Sequence, residues 1–275
     1  MGTQATPYGA SSTTSEPLSP GPHAYQIGGI TQRYHVHGSS GAVCVVHPGG
    51  PGLSWEYLRM PGLEQHFTMV YIEPVGTGAS GRLPSHPHGY TVDRYSRFLQ
   101  VLINRLQVPE VYLLGHSYGA LVAAHHALYR SERVIGVIAY EGEVVAGPSP
   151  DEQWRPLPWD AAATSWGQRL TSTCERLQRS YISGLDENLS PEVVENRAGL
   201  RALTVPVLVV TGLREAGQDT DWSRQLCEVA PRSRLQFLER GGRLGHVGDP
   251  ERFDRAVRDF ALSMTYGDAA SPSAP

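Results

Sequence analysis

The segment Val111-Tyr-Leu-Leu-Gly-His-Ser-Tyr-Gly-Ala-Leu121 sets one serine between two glycines where a β-rich run gives way to a helical one. VYLLG has the length and composition of a buried strand, and ALVAAHHALY has the pattern of a helix, so Ser117 falls on the turn between them. The spacing G-x-S-x-G is common by itself; its context is what makes it chemical. In a strand-turn-helix the glycines let a tight turn close, the hydroxyl stands above the sheet, and the first helical amides face the reacting oxygen. A hydroxyl is a weak nucleophile without a base. Of the eleven histidines, His125 and His126 fall within the following helix, where packing or solvent is their expected surrounding. His246, in the run Gly241-Gly-Arg-Leu-Gly-His-Val-Gly-Asp-Pro250, lies in a glycine-rich loop after the last strand pattern, from which it can reach back over the sheet edge. Ser117 and His246 are therefore the candidate nucleophile and general base.

Such a pair needs a scaffold that brings distant loops together. Short β-rich runs at 43–47, 69–72, 111–114, 134–140, 207–211 and 235–238 alternate with helical periods at 94–106 and 120–129. A further helix follows Asp249-Pro250, an N-cap and first-turn proline ahead of Phe253, Val257 and Phe260. That alternation predicts an α/β domain with a mostly parallel sheet flanked by helices. From 147 to 203 it lapses into a block with four early prolines and with Trp154, Trp159 and Trp166, too long for a loop and too apolar to stay unfolded. This block is expected to be a small inserted helical cap, between core segments 24–146 and 204–265. Residues 1–23 and 266–275, rich in small and polar types, are expected to be flexible tails.

Composition narrows the function further. At 275 residues the chain suits one large domain, and 40% hydrophobic with 18% charged residues is ordinary for a globular protein. A net charge of −4 offers no footprint for nucleic acid. With no apolar run of about 20 residues and no signal-like start, no membrane partner is expected, and a cytoplasmic location is. Cys44, Cys174 and Cys227 match no disulfide or zinc spacing and are expected to be free thiols. Gly76-Thr-Gly-Ala-Ser-Gly81 spells a dinucleotide fingerprint after a strand, but Arg-Leu-Pro-Ser-His-Pro follows where a helix should open. The partner expected is a small-molecule substrate, with no metal and no cofactor.

Three further motifs carry a family resemblance: His47-Pro-Gly-Gly-Pro-Gly52 after AVCVV, Tyr71-Ile-Glu-Pro-Val-Gly-Thr-Gly78 after the next strand, and the His246 loop. With the Ser117 turn they make the chain resemble an α/β-hydrolase, most of all the proline iminopeptidase group and its relatives, from about Gln32 to Met264. The pairing of Gly-Gly-Pro-Gly with G-x-S-x-G is far more specific than either motif. The resemblance implies an oxyanion hole formed by the amides of Gly50 and Tyr118, and a chain order of serine, acid, histidine. Relatives place an aspartate in Gly-x-x-Asp after the strand here written VPVLVV; this chain has Thr211-Gly-Leu-Arg-Glu215, so Glu215 takes that place. Glu141 is the alternative acid, because haloalkane dehalogenases carry theirs after the earlier strand; Asp219 ranks third. The expected function is a serine hydrolase acting through an acyl-enzyme; the resemblance suggests an aminopeptidase, but Trp154, Trp159 and Trp166 as substrate-binding residues favour a partly apolar carboxylic ester, thioester or lactone. An iminopeptidase-like aminopeptidase, or a lyase or cyclase on the same fold, remains an alternative. A histidine base predicts activity rising with pH, with a midpoint of about 6 to 7.5.

Overall fold

The computed structural model describes residues 16–49, 53–86, 88–142, 197–212, 221–240 and 244–266. Eight strands form one sheet in the order β1-β2-β4-β3-β5-β6-β7-β8. They are β1 (Gly21–Ile27), β2 (Ile30–His37), β3 (Val43–His47), β4 (Thr68–Glu73), β5 (Val111–His116), β6 (Val134–Tyr140), β7 (Val207–Gly212) and β8 (Ser233–Leu238). From β4 to β8 every neighbouring pair is parallel, whereas β1 to β2 and β2 to β4 are antiparallel. The described helices are α1 (Val92–Leu106), α2 (Tyr118–Tyr129), α3 (Arg197–Arg201), α4 (Asp221–Val229), α5 (Gly245–Gly248) and α6 (Pro250–Tyr266).

The central strands are buried along their whole length because helices cover both faces of the sheet. Alternation assigns each residue a side. Val45, Val70, Leu113 and Val137 join the core under α1 and α2. Cys44, Val46, Met69, Tyr71, Leu114, Ile138 and Tyr140 face the opposite core, with Phe253, Val257 and Phe260 of α6. The apolar runs noticed in the sequence are thus strands sandwiched between two cores. Thr91 starts α1, its hydroxyl accepting from the Arg94 amide at 3.1 Å.

One boundary differs from the expectation. Residues 21–23, expected in the N-terminal tail, instead begin β1, which pairs with β2 from Gly21↔Val36 onward. The reason is a half-buried alternation, in which His23 and Tyr25 point inward and Tyr34 is fully covered. The cap at 147–203 lies outside the described residues up to 196, as does Cys174. Cys44 and Cys227 are free, and burial pushes the Cys44 thiol up to about 12.

Candidate active site

β5 ends at His116, and Ser117 follows with φ 52° and ψ −119°, a conformation that residues with a Cβ seldom adopt. Its amide donates to the Tyr140 carbonyl at 2.9 Å, which pins the turn to the end of β6. The flanking glycines are required by backbone crowding. A Cβ at Gly115 would lie 2.6 Å from the Ala120 nitrogen, and one at Gly119 would lie 2.6 Å from the Pro48 carbonyl oxygen. The loop His47-Pro-Gly49 therefore packs directly on the first turn of α2, and a Cβ at Gly49 would come 3.3 Å from that of Ser117. Ser117 is partly exposed at the N-terminus of α2, and no hydrogen bond engages its Oγ among the described residues.

The amides near Ser117 divide by what holds them. Gly49 N–H donates to the Tyr57 hydroxyl at 2.9 Å and is engaged there. Tyr118 opens α2, so its N–H has no acceptor within the helix, while its side chain is buried with the hydroxyl donating to Tyr90 O at 3.1 Å. Only the backbone of Tyr118 is available for chemistry. Gly50 lies outside the described residues.

His246 sits in the short helix α5, almost fully buried, beside the Tyr140 and Phe253 rings. Its Nε2 is 2.7 Å from the Tyr57 carbonyl oxygen, and its Nδ1 is 3.0 Å from the Tyr140 hydroxyl. Burial lowers its pKa to about 4, so the ring is neutral at pH 7. A carbonyl can only accept, which assigns the single ring proton to Nε2; Nδ1 then accepts from the Tyr140 O–H. The same hydroxyl accepts from the His246 backbone N–H at 3.2 Å. The structure thus brings His246 to the sheet edge beside the elbow but does not hydrogen-bond it to Ser117. The low pKa also departs from the midpoint of about 6 to 7.5 expected for a solvated histidine, because desolvation dominates.

Two residues not singled out in the sequence complete the cluster. Tyr57, in the turn Glu56–Leu58, joins His116 Nδ1 through its hydroxyl at 2.7 Å, so it touches the Gly49 loop, the elbow and His246 at once. Tyr140, the last residue of β6, lies against the His116 ring at a tilt of 55°, with centroids 4.8 Å apart. Nothing in the sequence around Tyr57 marks it; Tyr140 stands next to Glu141, a candidate acid, which is the one available signal.

Glu141 is fully buried with φ 49°, its amide donating to Val210 O at 2.8 Å and its carboxylate accepting from the Gly212 N–H. It holds the ends of β6 and β7 together, and both nitrogens of His246 bond elsewhere. Glu215, Asp219, Trp154, Trp159 and Trp166 lie outside the described residues. His125 and His126 are buried structural groups: His126 Nδ1 meets the Ser96 hydroxyl at 3.1 Å, and His125 lies 3.6 Å from Asp93. The Gly76–Gly81 turn is no nucleotide loop. Gly76 N–H closes it onto Gly81 O at 2.8 Å, and the buried Glu73 carboxylate fills its interior, bonded to the Ala79 amide. Among the described residues no cluster of three or more histidine, cysteine or acidic side chains could hold a metal ion, and no helix is long and apolar enough to cross a membrane.

The strand order and the serine elbow are those of the α/β-hydrolase fold, and known proteins agree. A family model described as alpha/beta hydrolase fold matches residues 43–169. A proline iminopeptidase of Heyndrickxia coagulans is 22% identical over 85% of this chain and 94% of its own. 3-Oxoadipate enol-lactonase 2 of Acinetobacter baylyi is 24% identical over 76% and 84%. Among solved structures, a proline iminopeptidase of Mycobacterium smegmatis superposes with a TM-score of 0.73 at 17% identity, covering 90% of this chain and 99% of that one. The chain is a hydrolase with the α/β-hydrolase fold. Within that fold it resembles the proline iminopeptidase group.

Proposed function

We propose that the chain is a serine hydrolase that cleaves an ester, thioester or lactone of a small, partly apolar compound through an acyl-enzyme. The observation that carries this reading is the strained Ser117 elbow, whose Oγ has no hydrogen bond among the described residues and stands at a helix N-terminus beside the Gly49 backbone. Ser117 Oγ attacks the carbonyl carbon as its proton passes to His246 Nε2, and the amides of Tyr118 and Gly50 hold the oxyanion. Collapse expels the alcohol, thiol or ring oxygen, which takes that proton; water then attacks the acyl-enzyme by the same route in reverse. Glu215 is the carboxylate that serves the imidazole when it is charged, and the three cap tryptophans contact the acyl group. To act as base, Nε2 must exchange the Tyr57 carbonyl for Ser117 Oγ.

A fluorophosphonate tests the reading directly. The adduct is expected on the peptide containing Gly115-His-Ser-Tyr-Gly119, and it should be absent from Ser117→Ala. A folded protein that stays unlabelled would overturn the assignment. Esters of graded chain length compared with prolyl and alanyl anilides then address the substrate; a steady preference for the anilides would favour an aminopeptidase, the activity named for the Heyndrickxia relative.

A further inference from the structure

A carboxylate that orients an imidazole can only accept, so it fixes one tautomer, with the proton on Nδ1. His246 is held differently. Its Nδ1 and its backbone N–H both meet one phenol hydroxyl, that of Tyr140, and its Nε2–H is donated to the Tyr57 carbonyl. Both ring nitrogens and the backbone N–H are satisfied inside the protein, in a tautomer that cannot take a proton at Nε2. Other groups around the ring are Phe253 of α6 and, beyond Tyr140, His116 of β5 and Glu141 after β6.

We propose that Tyr140 is a positioning residue that lets His246 alternate between a resting and a working tautomer. This rests on Ser117 being the nucleophile and His246 its base. In the resting state the Tyr140 O–H donates to Nδ1 and Nε2–H is held by Tyr57. In the working state Nδ1–H donates to the Tyr140 oxygen, leaving the Nε2 lone pair for Ser117. A hydroxyl serves both states because it donates and accepts; a carboxylate or a phenylalanine ring serves one or neither. The exchange conserves protons: Nε2 releases one to water as the ring leaves Tyr57, and Nδ1 takes one from water. Tyr140 thereby supplies the partner for Nδ1 in both tautomers.

Two measurements test this. Long-range ¹H–¹⁵N spectra of histidine-labelled protein at pH 8, with the His246 signals assigned by their loss in His246→Gln, should show the Nε2–H tautomer in the wild type. After fluorophosphonate modification of Ser117 they should show a protonated Nδ1. Separately, Tyr140→Phe keeps the ring and its packing but leaves Nδ1 unpaired. The labelling rate should fall roughly 10- to 100-fold, the effect of one lost buried hydrogen bond. Its pH midpoint should rise, since the donor that favours the neutral imidazole is gone. A merely structural tyrosine would change the melting temperature but leave that midpoint in place. Wild-type labelling with an unchanged midpoint in folded Tyr140→Phe would overturn the proposal. So would an Nδ1–H tautomer in the resting wild type, a result that needs no variant. Failure of the wild type to label at all would instead overturn the serine hydrolase reading.

Discussion

Replacing Ser117 by glycine removes the proposed nucleophile together with a strained backbone. With φ 52° and ψ −119°, Ser117 occupies a region that costs a residue bearing a Cβ about 1–3 kcal/mol and that glycine enters freely. Glycine in turn loses about 0.5–1 kcal/mol by its greater freedom in the unfolded chain. Since no hydrogen bond holds Oγ among the described residues, loss of the hydroxyl subtracts little. The net expectation is a gain of about 0.5–2 kcal/mol, or roughly 1–6 °C in melting temperature for a chain of this size. The appropriate reference is Ser117→Ala, equally devoid of a nucleophile yet with the strain retained. Calorimetry of the two variants side by side, with labelling as the check on activity, reads the difference. If Ser117→Gly melts at or below Ser117→Ala, the turn stores no strain and the reasoning from its backbone angles fails.

Gly119→Ala drives a Cβ against the backbone of His47 and Pro48 and should cost about 1–3 kcal/mol by overpacking; Gly49→Ala meets nothing closer than 3.2 Å, so it should fold normally and label more slowly, as thermal melts and labelling kinetics will show. Burial depresses His47, His126 and His246 each to about 4 from 6.5, so each contributes stability that is complete above pH 6.5 and is lost as pH falls toward 4. At up to about 3 kcal/mol apiece they approach the whole stability of a typical domain, about 5–15 kcal/mol, and the melting temperature should fall steeply below pH 6; a flat profile down to pH 4.5 would refute the burial argument. Glu215→Gln should lower kcat by roughly 10² to 10⁴ with little thermal change, and Glu141→Gln less than about tenfold but with a loss of stability, because its carboxylate ties Gly212 to β6. The reverse ranking in ester turnover would move the acid to Glu141.

The parallel strands were legible because burial on both faces writes an unbroken apolar run such as VCVV or VLVV. β1 and β2 were not. Their segments GPHAYQI and ITQRYHVH mix polar and aromatic residues at a period of two, and only pairing with each other and with β4 makes them strands. Ser117 could be read from its glycines, since their role is local: each is excluded from bearing a Cβ by atoms of the same turn or of one adjacent loop. The surroundings of His246 could not be read. Tyr140 lies 106 residues away and resembles any other core aromatic until its hydroxyl meets a partner. The depressed pKa of His246 has the same origin, since desolvation is a property of the packed structure.

Tyr140 reaches both sides of the site at once. Its carbonyl accepts the Ser117 amide, and its hydroxyl carries His246 through two hydrogen bonds. The proposed nucleophile and base are thus hung from one residue at the end of one strand. A displacement of the end of β6 is passed to the elbow and to the histidine together, through hydrogen bonds made by the same residue. The Tyr140 ring is fully buried between His116 and Phe253, and Tyr57, which meets both His116 and the His246 Nε2, gives the pair a second link.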